Sequence, residues 1–382
     1  MTARNITIDF WRGFVLVFIF INHIPGNLIE HLSPRNFGFS DSAEAFVFIA
    51  GLSVAFVYYP KIPQGDVFGV VKRCLRRSFQ LYRMHLLLTA AAIALFSIGY
   101  ELSDDIGLIE ADGRDAVFGN TAKGITGILL LGHQLGYFNI LPLYIALMLW
   151  APVALVLARI HVFFALAVSC GIYILAHTGV LELKSWPEPG TWFFNPFAWQ
   201  LLFTIGIAAG ILFAKRRLPH ERSLVLGAAI LVIASFLIMT ECFGLVPDLR
   251  EMVFEHLDLG KQDLGIFRLV HFLALAYLLV QLRVGEALES TFIGPELIRL
   301  GRNGLAIFGV GSLLSALGQV IMTLTAVKSS ASPQMIGMVF TVLGVFGLLA
   351  LARYLEWNKL NPAGSQKGQA KGLGLPFTST GQ

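Results

Sequence analysis

The first apolar stretch of this chain carries three ionisable side chains, Asp9, Arg12 and His23. At 100° per residue, Arg12 and His23 differ by about 20° around a helix, and Asp9 falls on the same stripe. Ionisable groups inside a membrane segment are costly and usually functional. Because an imidazole can remove a proton from a hydroxyl group, His23 is a candidate general base.

Two carboxylates follow at the start of the second apolar stretch, after a loop that bends at Pro25 and Gly26. Asp41 or Glu44 could orient the imidazole of His23, as a carboxylate does in many general-base sites. The alternative is that His23 only packs and that the carboxylates only stabilise a helix N-terminus. The sequence leaves open which carboxylate would orient His23.

The third apolar stretch begins with the basic segment KRCLRRSFQLYRMH. Arg76, Arg77 and Arg83 lie there, and Arg12 lies near the same end of the first stretch. Guanidinium groups match phosphate oxygens well, so these residues predict a site for a phosphorylated molecule. The alternative is a set of topology anchors that contact anionic lipid.

Near the eighth apolar stretch, Arg268 and His271 lie one helical turn apart and form a second polar candidate. The three cysteines are scattered and have no metal-ligand spacing, so we expect no metal site. No nucleophile elbow, phosphate-binding loop or dinucleotide motif is present. Chemistry would therefore depend on histidine and carboxylates, with cationic side chains to hold a ligand.

These side chains require membrane-spanning helices to position them. The chain is 56% hydrophobic and 14% charged, whereas soluble domains are roughly 25% charged. We predict an all-α polytopic membrane protein with one transmembrane domain over residues 1–360 and a disordered tail over 361–382. The ten predicted spans are 8–29, 42–60, 80–100, 138–158, 161–181, 196–214, 223–243, 266–283, 304–326 and 334–356.

The distribution of basic residues predicts the orientation. With the N-terminus inside, roughly 20 of the 28 Lys and Arg residues lie on the cytoplasmic side. Both termini are therefore predicted to be cytoplasmic. The basic residues follow the predicted crossings, so no nucleic-acid partner is expected.

Several blocks of the sequence resemble OpgC-type proteins of the broader membrane acyltransferase-3 group. They are IDFWRGFVLVFIFINHIPGN, RNFGFSDSAEAFVFIAGLS, LPLYIALML, WFFNPFAWQLLF, GKQDLGIFRLVHFLALAY and LGRNGLAIF. The resemblance implies a multi-pass enzyme of the bacterial inner membrane that transfers succinyl groups to osmoregulated periplasmic glucans. Cytosolic succinyl-CoA would be the donor substrate, and no bound cofactor is implied.

By similarity, His23 matches the family's catalytic base, and Arg76 and Arg77 match its CoA-associated arginine pair. Gln80 and Arg83 depart from the broader group, which often has Arg and Pro at these positions. We expect direct transfer, because no Ser or Cys stands out as an acyl carrier.

Arg35 or Arg268 could pair with the free carboxylate of a succinyl group. Other readings remain open: O-acetylation of another surface polysaccharide, a secondary transporter, or a non-catalytic assembly factor for glucan export. The acyl group, the acceptor and the oligomeric state are not determined by the sequence.

Overall fold

A computed structural model describes residues 5–62, 64–214 and 218–361, and this part of the chain is helical without a β-strand. One isolated β-bridge pairs Lys184 with Thr191. We number the ten long helices in chain order: α1 (Ile6–Asn22), α2 (Ser42–Tyr58), α3 (Val67–Ser103), α4 (Ile140–Ile160), α5 (Val162–His177), α6 (Pro196–Leu212), α7 (Arg222–Met239), α8 (Ile266–Gln281), α9 (Gly304–Lys328) and α10 (Pro333–Leu360).

Each predicted span overlaps one of these helices, so the all-α architecture is confirmed for the described residues. Six of them (α2, α3, α4, α7, α9 and α10) are long and apolar enough to cross a membrane. Three more (α5, α6 and α8) are shorter apolar helices. The crossing of about ten helices and the cytoplasmic termini stay predictions. The predicted tail, apart from Asn361, lies outside the described residues.

Side-chain caps fix where several helices begin. The side chain of Asn5 accepts a hydrogen bond from the backbone N–H of Ile8 at the start of α1. At α2, Asp41 and Glu44 form a capping box, in which each carboxylate accepts a backbone N–H of the first turn. These caps satisfy donors that have no partner within the helix.

Glycines bring α2 and α6 into backbone contact. A Cβ atom on Gly51 would overlap the carbonyl oxygen of Phe203, and one on Gly206 would overlap that of Phe48. Small residues allow helices to approach this closely in lipid, where van der Waals packing drives association. This contact fixes α2 against α6, and the first turn of α2 carries the two carboxylates.

A second close contact joins α1 to the short helix Gly294–Arg302 that precedes α9. A Cβ atom on Gly301 would overlap the carbonyl oxygen of Asp9, and one on Gly13 would overlap that of Leu297. This short helix therefore lies against the beginning of α1, at the end of the bundle that carries Arg12. We call this the arginine end, and the opposite end, where α1 finishes, the histidine end.

The orientation prediction can be tested with reporters that are active only in the periplasm. Fusions after residues near 110, 190 and 255 should give signal, because the loops there belong to the histidine end. Fusions near 218 or at the C-terminus should be silent, because the positive-inside rule assigns them to the cytoplasm. The reverse pattern would contradict a cytoplasmic arginine end.

Candidate active site

His23 follows the last residue of α1, where the helix finishes at the histidine end. Its carbonyl oxygen accepts a hydrogen bond from Nε2 of Gln319, 2.8 Å away on α9. The side chain is half-buried, and its buried Nδ1 has no hydrogen-bond partner among the described residues. The ring of Tyr137 lies against the imidazole, with centroids 5.0 Å apart.

The chain after His23 is held by Asn27, which sequence reasoning missed. Its side chain is fully buried and donates to the carbonyl oxygens of Ile21 and Ile24. Its oxygen accepts from the backbone N–H groups of Ile29 and Glu30. The Pro-Gly-Asn sequence predicts a turn here. It does not show that the Asn27 side chain is buried and holds the backbone on both sides of His23.

The strongest polar feature of the histidine end is a cluster of four charges, Asp41, Glu44, Lys261 and Arg268, which we call the charge cluster. Arg268 lies 2.7 Å from Glu44 and 3.4 Å from Asp41. Lys261 lies 2.6 Å from the same oxygen of Asp41. The side chain of Glu44 is completely buried, so its ionised form depends on these partners.

This arrangement gives Glu44 partners other than His23 among the described residues, so an orienting role for Glu44 stays a prediction. One oxygen of Glu44 accepts from Arg268 and the other from the backbone N–H of Asp41 at 2.8 Å. The physical reason is that a permanently charged guanidinium compensates a buried carboxylate better than an imidazole does. Arg268 itself was a predicted site residue, and it joins the two carboxylates rather than lying free for a ligand.

Asp41 is ionised in this setting. Burial raises the pKa of its carboxyl group, but the charges of Lys261 and Arg268 outweigh burial and hold the pKa below its ordinary value. Asp41 contributes, together with Lys261 and Arg35, to the electrostatic field at His23. No hydrogen bond joins Asp41 to the imidazole among the described residues, so an orienting role for Asp41 stays a prediction.

The two remaining candidates of this end have partners outside the charge cluster. Nδ1 of His271 shares a hydrogen bond of 2.8 Å with the hydroxyl of Ser40, and Gly38 packs against the same ring. Arg35 pairs with Glu30 at 3.0 Å and keeps 39% of its side chain exposed. His271 thus packs within the protein, whereas Arg35 is available to an incoming anion.

At the arginine end, a cavity of about 510 Å³ opens between α1, α2, α3, α4, α9 and α10. This size is within the usual range for small-molecule and cofactor sites. Its deep wall is apolar, with Leu16, Phe46 and Phe308 among the lining residues. Four cationic side chains line it, and no carboxylate does in the described part of the chain: Arg12, Arg77, Arg302 and Lys359.

The structure separates the arginines of α3, which the sequence had grouped. Arg77 lines the cavity, with its guanidinium 6.0 Å from the ring centre of Tyr144. Arg76 is exposed, and Arg83 is exposed beside Phe79. Arg73 pairs with Asp66. Arg76 and Arg83 do not line this cavity, so a donor-binding role for these two residues stays a prediction.

Arg12, another predicted site residue, is held in the wall of the cavity. It bonds to Asp9 at 2.9 Å and to the hydroxyl of Ser53 on α2 at 2.6 Å. It also donates to the carbonyl oxygen of Gly301 at 3.3 Å. These contacts orient the guanidinium and join α1 to α2 and to the short helix before α9.

A narrow void leads from this cavity toward His23. It is too small for a water molecule, and Leu16 and Phe308 line both it and the cavity. Its other walls include His23, Gly311 and Ser312. Arg12 and His23 lie about 16 Å apart along α1, and the void lies beside this helix between Leu16 and His23.

The described residues form an all-α bundle, with six helices long and apolar enough to cross a membrane, a cationic cavity at one end and a candidate histidine site at the other. The profile of one protein family, described as OpgC protein, matches residues 4–360. The chain therefore belongs to the OpgC family. No match was found among curated proteins.

The charge cluster predicts a large cost for removing Arg268. Arg268→Met leaves Glu44 buried without its cation, which typically costs about 3–5 kcal/mol. We expect a marked loss of thermal stability, measured by unfolding of the detergent-solubilised protein. Arg250→Met, at an exposed arginine, is the matched control and should change little. Equal stability of the two variants would contradict a structural role for the Glu44–Arg268 pair.

Proposed function

We propose that the chain is a membrane O-acyltransferase that moves a succinyl group from cytosolic succinyl-CoA to a hydroxyl group of a periplasmic glucan. The observation that carries this proposal is the placement of a cationic cavity and His23 at opposite ends of α1, with a narrow void between them. Membership of the OpgC family supports glucan as the acceptor. The setting would be the bacterial inner membrane, with the arginine end in the cytoplasm.

In this proposal the CoA phosphates bind at the arginine end. Arg77 and Arg302 line the cavity from α3 and from the segment before α9, and Lys359 lines it from the end of α10. Lys359 is held by the side-chain oxygen of Asn303 at 2.7 Å. Guanidinium and ammonium groups from three elements suit a ligand with several phosphates, since each group can take a different oxygen.

The acyl end of the donor would reach His23 along the void. Leu16 and Phe308 stand between the cavity and the histidine, and their side chains would move apart to admit a thin, unbranched arm. The wall formed by α9 carries Gly311 and Ser312, which present little side-chain bulk toward the void. The thioester carbonyl would then lie next to the imidazole.

Transfer would proceed by general-base catalysis. His23 takes the proton of a glucan hydroxyl as its oxygen attacks the thioester carbonyl. The resulting tetrahedral intermediate collapses, the carbon–sulfur bond breaks, and the CoA sulfur leaves with the proton from the imidazolium. A new ester and free CoA are the products, so atoms and charges balance without an acyl-enzyme.

The free carboxylate of the succinyl group needs a cation near His23. Arg268 is already paired with Asp41 and Glu44, so Arg35 is the better of the two arginines for this role. Its carboxylate partner within the described ranges is Glu30, and its charge contributes to the electrostatic field at His23. In this proposal the charge cluster has a structural role, because it links α2 to α8 beside the site. Arg35 distinguishes succinyl from acetyl donors by binding the free carboxylate.

Replacing His23 tests the chemical step. His23→Ala should lower transfer of labelled succinyl from CoA to glucan in proteoliposomes by at least about 10²–10⁴-fold. His31→Ala is the matched control, because His31 lies in the next loop and is exposed. Both variants should insert normally. Full activity of correctly inserted His23→Ala would remove the proposed mechanism.

Two adjacent arginines of α3 test the donor site. Arg77→Gln should raise KM for succinyl-CoA by about 10- to 100-fold, the loss expected for a hydrogen bond to a charged group. Arg76→Gln should leave KM nearly unchanged, since Arg76 is exposed outside the cavity. Arg77→Lys should restore binding only in part. An equal response at both positions would argue for topology anchors instead of a donor site.

A further inference from the structure

The structure assigns Tyr137 as a positioning residue that holds the His23 imidazole for acyl transfer. This inference rests on the proposed function, in which His23 is the general base. Tyr137 lies two residues before Asn139, the N-cap of α4, and was not a candidate in the sequence. It takes the orienting role that the sequence had given to a carboxylate.

The contact itself is direct. The rings of Tyr137 and His23 lie with centroids 5.0 Å apart and planes inclined by 56°. Such a tilted contact is within the range that aromatic pairs favour. Glu44 has both oxygens engaged elsewhere, and Nδ1 of His23 lacks a hydrogen-bond partner in the described ranges. Ring packing by Tyr137 therefore restricts an imidazole that no described hydrogen bond orients.

The backbone at Tyr137 is in a conformation that aromatic residues rarely adopt. Its φ is +68°, in the left-handed region. Such a conformation persists only where surrounding structure imposes it, and it is often found at functional sites. Here it turns the chain sharply just before α4, so that the side chain lies on His23.

A scaffold near the end of α3, at the histidine end, imposes this turn. The N–H of Gly136, next to Tyr137, donates to the carbonyl oxygen of Asp112 at 2.8 Å. Nε2 of His133 lies 2.6 Å from the carbonyl oxygen of Gly113. The following residue, Arg114, is buried, and its guanidinium lies 4.0 Å from the ring centre of Phe96 on α3. Tyr137 is thus fixed relative to α3.

The phenol suits a site for a base because it carries no charge. Burial raises the pKa of Tyr137, with a further contribution from Asp112, so the hydroxyl stays protonated. The ring can pack on the imidazole without adding a negative charge near the attacked thioester. The contact therefore restrains the orientation of the imidazole. Asp41, Lys261 and Arg35 contribute to the electrostatic field at His23.

Kinetics of three variants test the inference. Tyr137→Ala should lower kcat for succinyl transfer by about 10- to 100-fold, as for a misplaced reacting group, with little change in KM for succinyl-CoA. Tyr137→Phe keeps the ring and should retain most of the activity. Tyr100→Ala, at another half-buried tyrosine near the histidine end of α3, is the control. Unchanged kcat in Tyr137→Ala, or an equal loss in Tyr137→Phe, would overturn the inference.

A labelling experiment separates this inference from the proposed function. Diethyl pyrocarbonate modifies accessible imidazoles, and mass spectrometry can follow His23 in the solubilised protein. Labelling should be faster in Tyr137→Ala than in wild type, and unchanged in Tyr137→Phe and Tyr100→Ala. Equal rates in Tyr137→Ala and wild type would show that Tyr137 does not cover His23. Absence of glucan acylation by wild-type protein would instead refute the proposed function, whatever the labelling shows.

Discussion

The structure depends on one constraint: the buried carboxylate of Asp9 on α1 needs a cation beside it, because a buried charge is costly unless it is paired. Asp9 and Arg12 pair with each other, and Arg12 also bonds to Ser53 and to the carbonyl oxygen of Gly301. Three different parts of the chain therefore meet on one side of α1. The cationic cavity forms where they meet. The residues that hydrogen-bond to Arg12 from α2 and from the helix Gly294–Arg302 therefore also line the proposed donor site.

The opposite end satisfies its charges in a different way. Arg268 is placed between two carboxylates of α2, and Lys261 adds a second cation. Because the capping box holds Asp41 and Glu44 on the first turn of α2, the cluster links that turn to the start of α8. Among the described residues no carboxylate hydrogen-bonds to His23, so in our proposal packing by the neutral ring of Tyr137 restrains the imidazole.

The sequence predicts the helices well, because each long apolar run has the length and composition of a helix. It also selects His23, Asp41, Glu44 and Arg268 as candidates, since charges in such runs are rare. It could not pair Glu44 with Arg268, which lies 224 residues away, because the sequence does not show which of several Lys and Arg side chains lies near Glu44 in the fold. Nor could it separate Arg77 from Arg76, since that choice depends on the rotation of α3 against its neighbours.

The close packing of α1 on the helix Gly294–Arg302 also has a consequence for biosynthesis. Arg12 and its acceptor Gly301 are 289 residues apart, so this contact can form only after the segment around Gly301 has been synthesised. Asp9 and Ser53 are available to Arg12 much earlier. The wall of the cationic cavity is therefore completed only when the helix Gly294–Arg302 reaches α1.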